Sequence, residues 1–217
     1  MSSNDTVLEE KYLEAVKDAM TTEEGELYDG LTDVVEANHY LHWSDINGEI
    51  RVLAVTWTPY PDSYPVGETV QTWWGDTWVT MAPEITDWFS ENYRGNTDMT
   101  LRAAQLLGLP KDAGYTHFVE LWVRPGDLFR PAPDNEITDR TVQLELPESA
   151  EEWYIEWFHT NIIDSYFPMQ YPWTRLGYTY DWGAVDTEVG LSEFVIRQGS
   201  EVIVESNAAT EAYLRSN

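Results

Sequence analysis

The chain has 217 residues, 42% hydrophobic and 14% aromatic, which is enough apolar material for one folded domain of ordinary size. Its 39 Asp and Glu outnumber 12 Lys and Arg for a formal net charge of −27, a field that repels phosphate backbones and anionic lipid, so nucleic acid and membrane surfaces are not expected partners. The absence of cysteine excludes disulfides and thiolate chemistry, and no basic leader or bilayer-length apolar run is present, so a soluble, cytoplasmic protein is expected.

In chain order, residues 6–20 read as a helix: Thr6 and Glu9 are spaced as a capping box, and Leu8, Tyr12, Val16 and Ala19 share one face. A second helix is expected from Thr21 or Thr22 to about His42, carrying Leu27, Leu31, Val34 and Val35. These two make residues 1–45 a helical N-terminal segment packed on a single domain, 46–217. Asn47-Gly48 signals a tight turn into EIRVLAVTW (49–57), whose two largely apolar faces suit a central strand. WVTM (78–81) reads as a strand feeding a helix that Pro83 begins, and TLRAAQLLG (100–108) as a helix closed by Gly108. HFVELWV (117–123) reads as a strand ended by Pro125-Gly126. TVQLEL (141–146) alternates like another strand, and Ser149 with Glu152 opens a helix through Trp153, Trp157 and Ile162. GYTYDW, LSEFVIR and EVIVES close the chain as strands, with a short helix around 208–215. Helices and strands do not alternate regularly, so the expected class is α+β, with a mixed or mostly antiparallel sheet, packed helices and an N-terminal helical pair.

Few chemical motifs are present. His39 and His42, three apart, lack a further spaced ligand, and no metal is expected. G-x-S-x-G, the phosphate-binding P-loop and G-x-G-x-x-G are all missing, which speaks against serine hydrolases of the α/β type, P-loop NTPases and dinucleotide dehydrogenases. In YPWTRLGYTYDWG (171–183), Tyr178, Tyr180 and Trp182 alternate with Thr179 and Asp181, so one strand face carries three rings. Such a row serves as core or as a stacking platform for a nucleobase or sugar, with Arg175 and Asp181 as the polar groups that orient the ligand. The Pro-, Trp- and Tyr-rich run 56–78 reads as a loop or hairpin with exposed rings.

Near the C-terminus, Ser192-Glu193 opens an apolar strand, Phe194 to Ile196. Gln198-Gly199 turns, and Val202 to Val204 is expected to pair back. Residues 190–204 resemble the C-terminal hairpin of ADP-ribosyltransferase-fold enzymes and toxins, in which a catalytic Glu begins a strand of the form E-Φ-Φ-Φ-x-x-G-x-x-Φ-x-Φ. The resemblance implies a catalytic role for Glu193, NAD as the ligand, Arg124 as the Arg or His of an early strand, and Tyr178 or Tyr180 as the middle-strand residues near the nicotinamide ribose. Leu191 stands where the arginine-modifying branch carries its first Glu, so arginine is not the expected acceptor. The functional expectation is an enzyme-like domain binding a nucleotide-type ligand in an aromatic-lined cleft. The alternative is an acidic inhibitor or immunity-type protein that binds a basic protein partner without catalysis.

Overall fold

A computed structural model describes residues 3–216. Helix α1 (Ser3–Ala19) is followed by β1 (Trp43–Ile46), β2 (Glu49–Thr58), β3 (Thr69–Gln71) and β4 (Thr77–Met81). Then come α2 (Ala82–Asn92), α3 (Met99–Leu106), β5 (His117–Val123), β6 (Leu128–Phe129) and α4 (Glu152–Tyr166). The chain ends with β7 (Tyr178–Tyr180), β8 (Val189–Ser192), β9 (Phe194–Ile196), β10 (Glu201–Ala209) and α5 (Thr210–Leu214). Eight strands form one antiparallel sheet in the order β3-β10-β5-β2-β4-β9-β6, with β1 added to β2, and β7 pairs β8 separately. The class is α+β.

The β1–β2 hairpin follows from its turn. Asn47 and Gly48 both have positive φ, 58° and 85°, and Asp45 Oδ1 accepts the Gly48 N–H at 2.8 Å. That geometry matches the twist of antiparallel strands. Strands β2 and β5 are central and covered on both sides. Val52, Ala54, Val119, Leu121 and Val123 face one core, whereas Val55, Trp57 and Phe118 face another with Ile85, Phe89, Ala103 and Leu106 of the helices. A third, aromatic cluster joins α4 (Tyr154, Phe158, Tyr166) to Phe129, Trp173 and Val195. Among the described residues no helix is long and apolar enough to cross a membrane.

Several expectations need correction. The second N-terminal helix does not form: after a 3-10 turn at Glu24–Glu26, residues 27–42 run as turns and extended chain. Leu31, Val34 and Leu41 still point inward, but as the apolar side of a strap across the sheet, fixed by Leu31 and Val34 N–H bonds to the carbonyls of Arg140 and Ile137. Those partners precede 141–146, which is loop rather than the expected strand, its first N–H, of Thr141, being turned back to Asp139 Oδ1. Strands β9 and β10 are not a hairpin: β9 lies between β4 and β6, whereas β10 lies between β3 and β5. The three rings of 178–182 do not share a strand face either. The β7–β8 ladder shifts register between Tyr178 and Tyr180, the strand stops at Tyr180, and Tyr178 and Trp182 enter different apolar clusters.

Candidate functional site

Strand β4 is shared. Thr77, Trp78 and Val79 pair with Ile196, Val195 and Phe194 of β9, whereas Thr80 and Met81 pair with Val55 and Ala54 of β2. Beyond Val55, strand β2 therefore parts from β4, and a cleft of about 470 Å³ opens in the wedge. Residues 55–59 form one wall and 76–80 the other, and α4 and the segment 170–173 close the far side.

Rings dominate the lining. Tyr115, Trp57, Phe118 and Tyr213 form a continuous stack with successive centroids 5.2, 5.2 and 5.1 Å apart, the first three facing the cleft. Opposite them, Trp78 and Trp173 meet edge to face at 6.2 Å. Trp57 is held by its indole N–H, which donates to Thr210 Oγ1 at 2.8 Å, so the ring at the centre of the stack cannot turn freely. Tyr60 and Trp74 stand at the mouth, 71% and 52% exposed.

Glu193 lies in the same lining. It occupies the break between β8 and β9, next in register to Thr80, and shares its strand face with Val195, which packs on α4. Two backbone bonds fix that break: Glu193 N–H donates to Gly177 O at 2.9 Å, and Ser192 N–H donates to Glu84 Oε2 at 2.8 Å. Gly177 has φ 76°, and a Cβ there would meet Arg130 Cδ at 2.9 Å, so only glycine fits the anchor. Glu193 is half-buried in the lining, and the desolvation this brings pushes its pKa up to about 8. Desolvation likewise raises Glu84 to about 7, against the Ser192 N–H bond to its Oε2 that favours its ionised form.

Tyr180 also lines the cleft, its hydroxyl donating to Asp18 of α1 at 2.8 Å. The other residues singled out from the sequence lie elsewhere. Arg124, at the end of β5, pairs with Asp127 at 2.8 Å and Glu49 at 3.5 Å. Arg175 donates to the carbonyl of Met20 at 2.9 Å and stacks on Tyr166. Tyr178 is buried, its hydroxyl bonded to Glu26 O at 3.1 Å. Asp181 is a buried structural partner, holding Arg102 through two bonds of 2.8 and 2.5 Å. Trp173, within the aromatic stretch 171–183 read as lining, does line the cleft, whereas sequence reasoning missed Trp57, Trp78 and Tyr115 as lining, along with Asn161 and Asp164 of α4. The run 56–78 carried the signal for the tryptophans, but not the fact that its two ends face each other.

Among the described residues no group of three or more His, Asp or Glu is placed to hold a metal ion. A flat ring between the stacks with Glu193 beside it is the chemistry the arrangement accommodates. No protein-family model matches the chain, and no curated protein or solved structure matches it.

Proposed function

We propose that this protein is a cytoplasmic enzyme that binds a nucleotide-type ligand of the NAD class by its flat ring and cleaves the bond between that ring and ribose. The observation that carries the proposal is the position of Glu193, a carboxyl inside a cleft walled by two sets of rings. The sequence pattern of residues 190–204 resembles that of ADP-ribosyltransferase-fold proteins at the same carboxyl, although β9 and β10 do not pair as the hairpin that resemblance implies.

In this scheme the nicotinamide ring extends the stack that Tyr115 ends. The C–N glycosidic bond breaks with its electron pair going to the ring nitrogen, so nicotinamide departs neutral and the ribose is left as an oxocarbenium-like cation. Glu193, ionised, holds the ribose hydroxyls and offsets the developing charge in a site with little water. A nucleophile, either water or an acceptor hydroxyl or amine, then bonds to the anomeric carbon and loses a proton. Glu193→Gln keeps shape and volume while removing the charge. It is expected to lower nicotinamide release about 10²–10³-fold with the melting temperature at least maintained, as for loss of one transition-state-stabilising group. Undiminished release by the variant, or no release by the wild type with water or added acceptors, refutes the assignment.

A second reading rests on a separate observation. Tyr60, Trp73 and Trp74 are exposed together on a chain of net charge −27, a combination suited to docking a basic protein partner without catalysis. Capture that persists in Glu193→Gln but is lost in Trp73→Ala together with Trp74→Ala separates this reading from the enzymatic one.

A further inference from the structure

Charge is unevenly distributed around the cleft. The described lining holds three carboxyl groups, Asp76, Asp164 and Glu193, and no Lys, Arg or His. Asp76 is already committed: its Oδ2 accepts the Trp157 indole N–H at 2.6 Å, and its Oδ1 accepts the Gln198 backbone N–H at 2.7 Å. Glu193 is the half-buried carboxyl deeper in the lining, and Asp164 is an exposed one on the same face of α4 as Asn161 and Ser165.

Arg175, Arg102, Arg197 and Arg130, none of which lines the cleft, make their contacts elsewhere. Arg175 caps the end of α1 through carbonyl oxygens, Arg102 is clamped by Asp181, and Arg197 lies over the Trp153 ring at 4.0 Å. Arg130 is completely buried beneath the strap, bonded to the carbonyls of Thr32, Glu136 and Asp139. A diphosphate entering the wedge would meet carboxylates and the electron-rich faces of Trp and Tyr, with no bidentate donor to receive it. A flat cation meets the opposite: ring faces attract it, Asp164 supplies counter-charge, and Glu193 adds to it once ionised.

The geometry points to a cationic, phosphate-free substrate, an N-glycosylated pyridinium nucleoside, in preference to a dinucleotide. This rests on the ring-ribose cleavage proposed above and names the substrate class for it. A volume of about 470 Å³ lies in the lower part of the usual ~300–1,000 Å³ range of ligand pockets, which suits a nucleoside held by its ring and ribose. The balanced step is hydrolysis: the glycosidic bond breaks onto the ring nitrogen, water bonds to the anomeric carbon, and nicotinamide, ribose and one proton are released.

The test compares nicotinamide release by the full chain from nicotinamide riboside, nicotinamide mononucleotide and NAD, at low salt and at about 0.5 M salt. The riboside is expected to have the highest kcat/KM, at least about tenfold above either phosphate-bearing compound at low salt, with the gap narrowing as salt screens the carboxylates. Asp164→Lys, an exposed change that leaves the core untouched, is expected to narrow the gap further by favouring the phosphates. Equal or better turnover of NAD, or a preference that Asp164→Lys leaves unmoved, overturns the inference while leaving ring-ribose cleavage in place. Riboside that protects the protein from thermal unfolding more than NAD does, but is never cleaved, upholds the preference and refutes the catalysis. No binding and no release with any of the three refutes both.

Discussion

Glu193 and Glu84 are carboxyls that the fold holds above their ordinary range, and both leave a mark on stability. Each has a folded pKa raised from 4.5, to about 8 and about 7 respectively. Folding therefore favours their protonated forms: the contribution is complete below pH ~4.5 and is lost as pH rises through the folded values. The melting temperature should fall between pH 5 and pH 8.5, and Glu193→Gln, neutral throughout, should flatten the upper part of that slope. A wild-type curve with no downward trend across this range contradicts the burial of these groups. On the proposed mechanism catalysis should run the other way, because the ionised carboxylate would be the working form: kcat/KM should climb through pH ~8, and a profile falling there would make Glu193 a proton donor instead. Asp181 marks the contrast. Its partner is Arg102, and Asp181→Ala leaves that guanidinium unpaired at a largely buried position, so unfolding experiments should show a loss of about 3 kcal/mol.

At the scale of elements, the cleft depends on how two short segments are pinned rather than on long helices. The break before β9 hangs on Gly177, whose carbonyl receives the Glu193 N–H and whose α-carbon faces Arg130 and Leu31. Gly177→Ala combines a positive φ with a clash, and a cost of at least 1–3 kcal/mol is expected, with activity falling more steeply than the folded fraction. Measured activity that tracks folded protein one to one would show that the break does not need this anchor. Periodicity made the central elements legible. β2, β5, α3 and α4 carry apolar residues at the spacings their burial requires, and Asn47-Gly48 marks its hairpin directly. The place of Glu193 immediately before an apolar strand, β9, was also legible. The strap 27–42 was not, because Leu31 and Val34 sit at helical spacing yet Val34 packs on the sheet and Leu31 on Ala132, Val142, Leu176 and Tyr178, both held by hydrogen bonds to residues more than 100 positions away. The same limit hid the cleft. Trp57 and Trp78 are 21 positions apart in sequence, and only the exchange of partners along β4 sets them on opposite walls. Tyr178, Tyr180 and Trp182 misled because a period of two holds only while the ladder is regular, and here a bulge interrupts it.

For the whole molecule, the net charge of −27 sets both its stability and its encounters. Acidic groups far outnumber the basic ones that could pair them, and apart from the buried Arg102–Asp181 pair and Arg51 with Glu49 and Glu201, pairs such as Arg215 with Glu211 at 3.4 Å are exposed and worth little. Self-repulsion should therefore dominate at low ionic strength, and the melting temperature should rise as salt is added and carboxylates beyond about 8 Å are screened from one another. A melting temperature that drops steadily with salt would mean that attractive pairs outweigh repulsion. A basic protein partner, if the docking reading holds, should associate more slowly over the same series, so the two measurements respond to one cause in opposite directions.

The exchange of partners along β4 has a consequence for the backbone itself. From Thr56 onward, β2 keeps β5 on one side and has open space on the other. Its amides therefore alternate between those locked in the ladder to β5 and those turned toward the wedge. In deuterated water the first set should remain protected for as long as the sheet survives, whereas the second should exchange orders of magnitude faster. A ligand that fills the wedge will slow only the second set. An every-other-residue change in deuterium uptake over Thr56–Thr58 would then report occupancy of the cleft, whatever occupies it and whether or not it reacts.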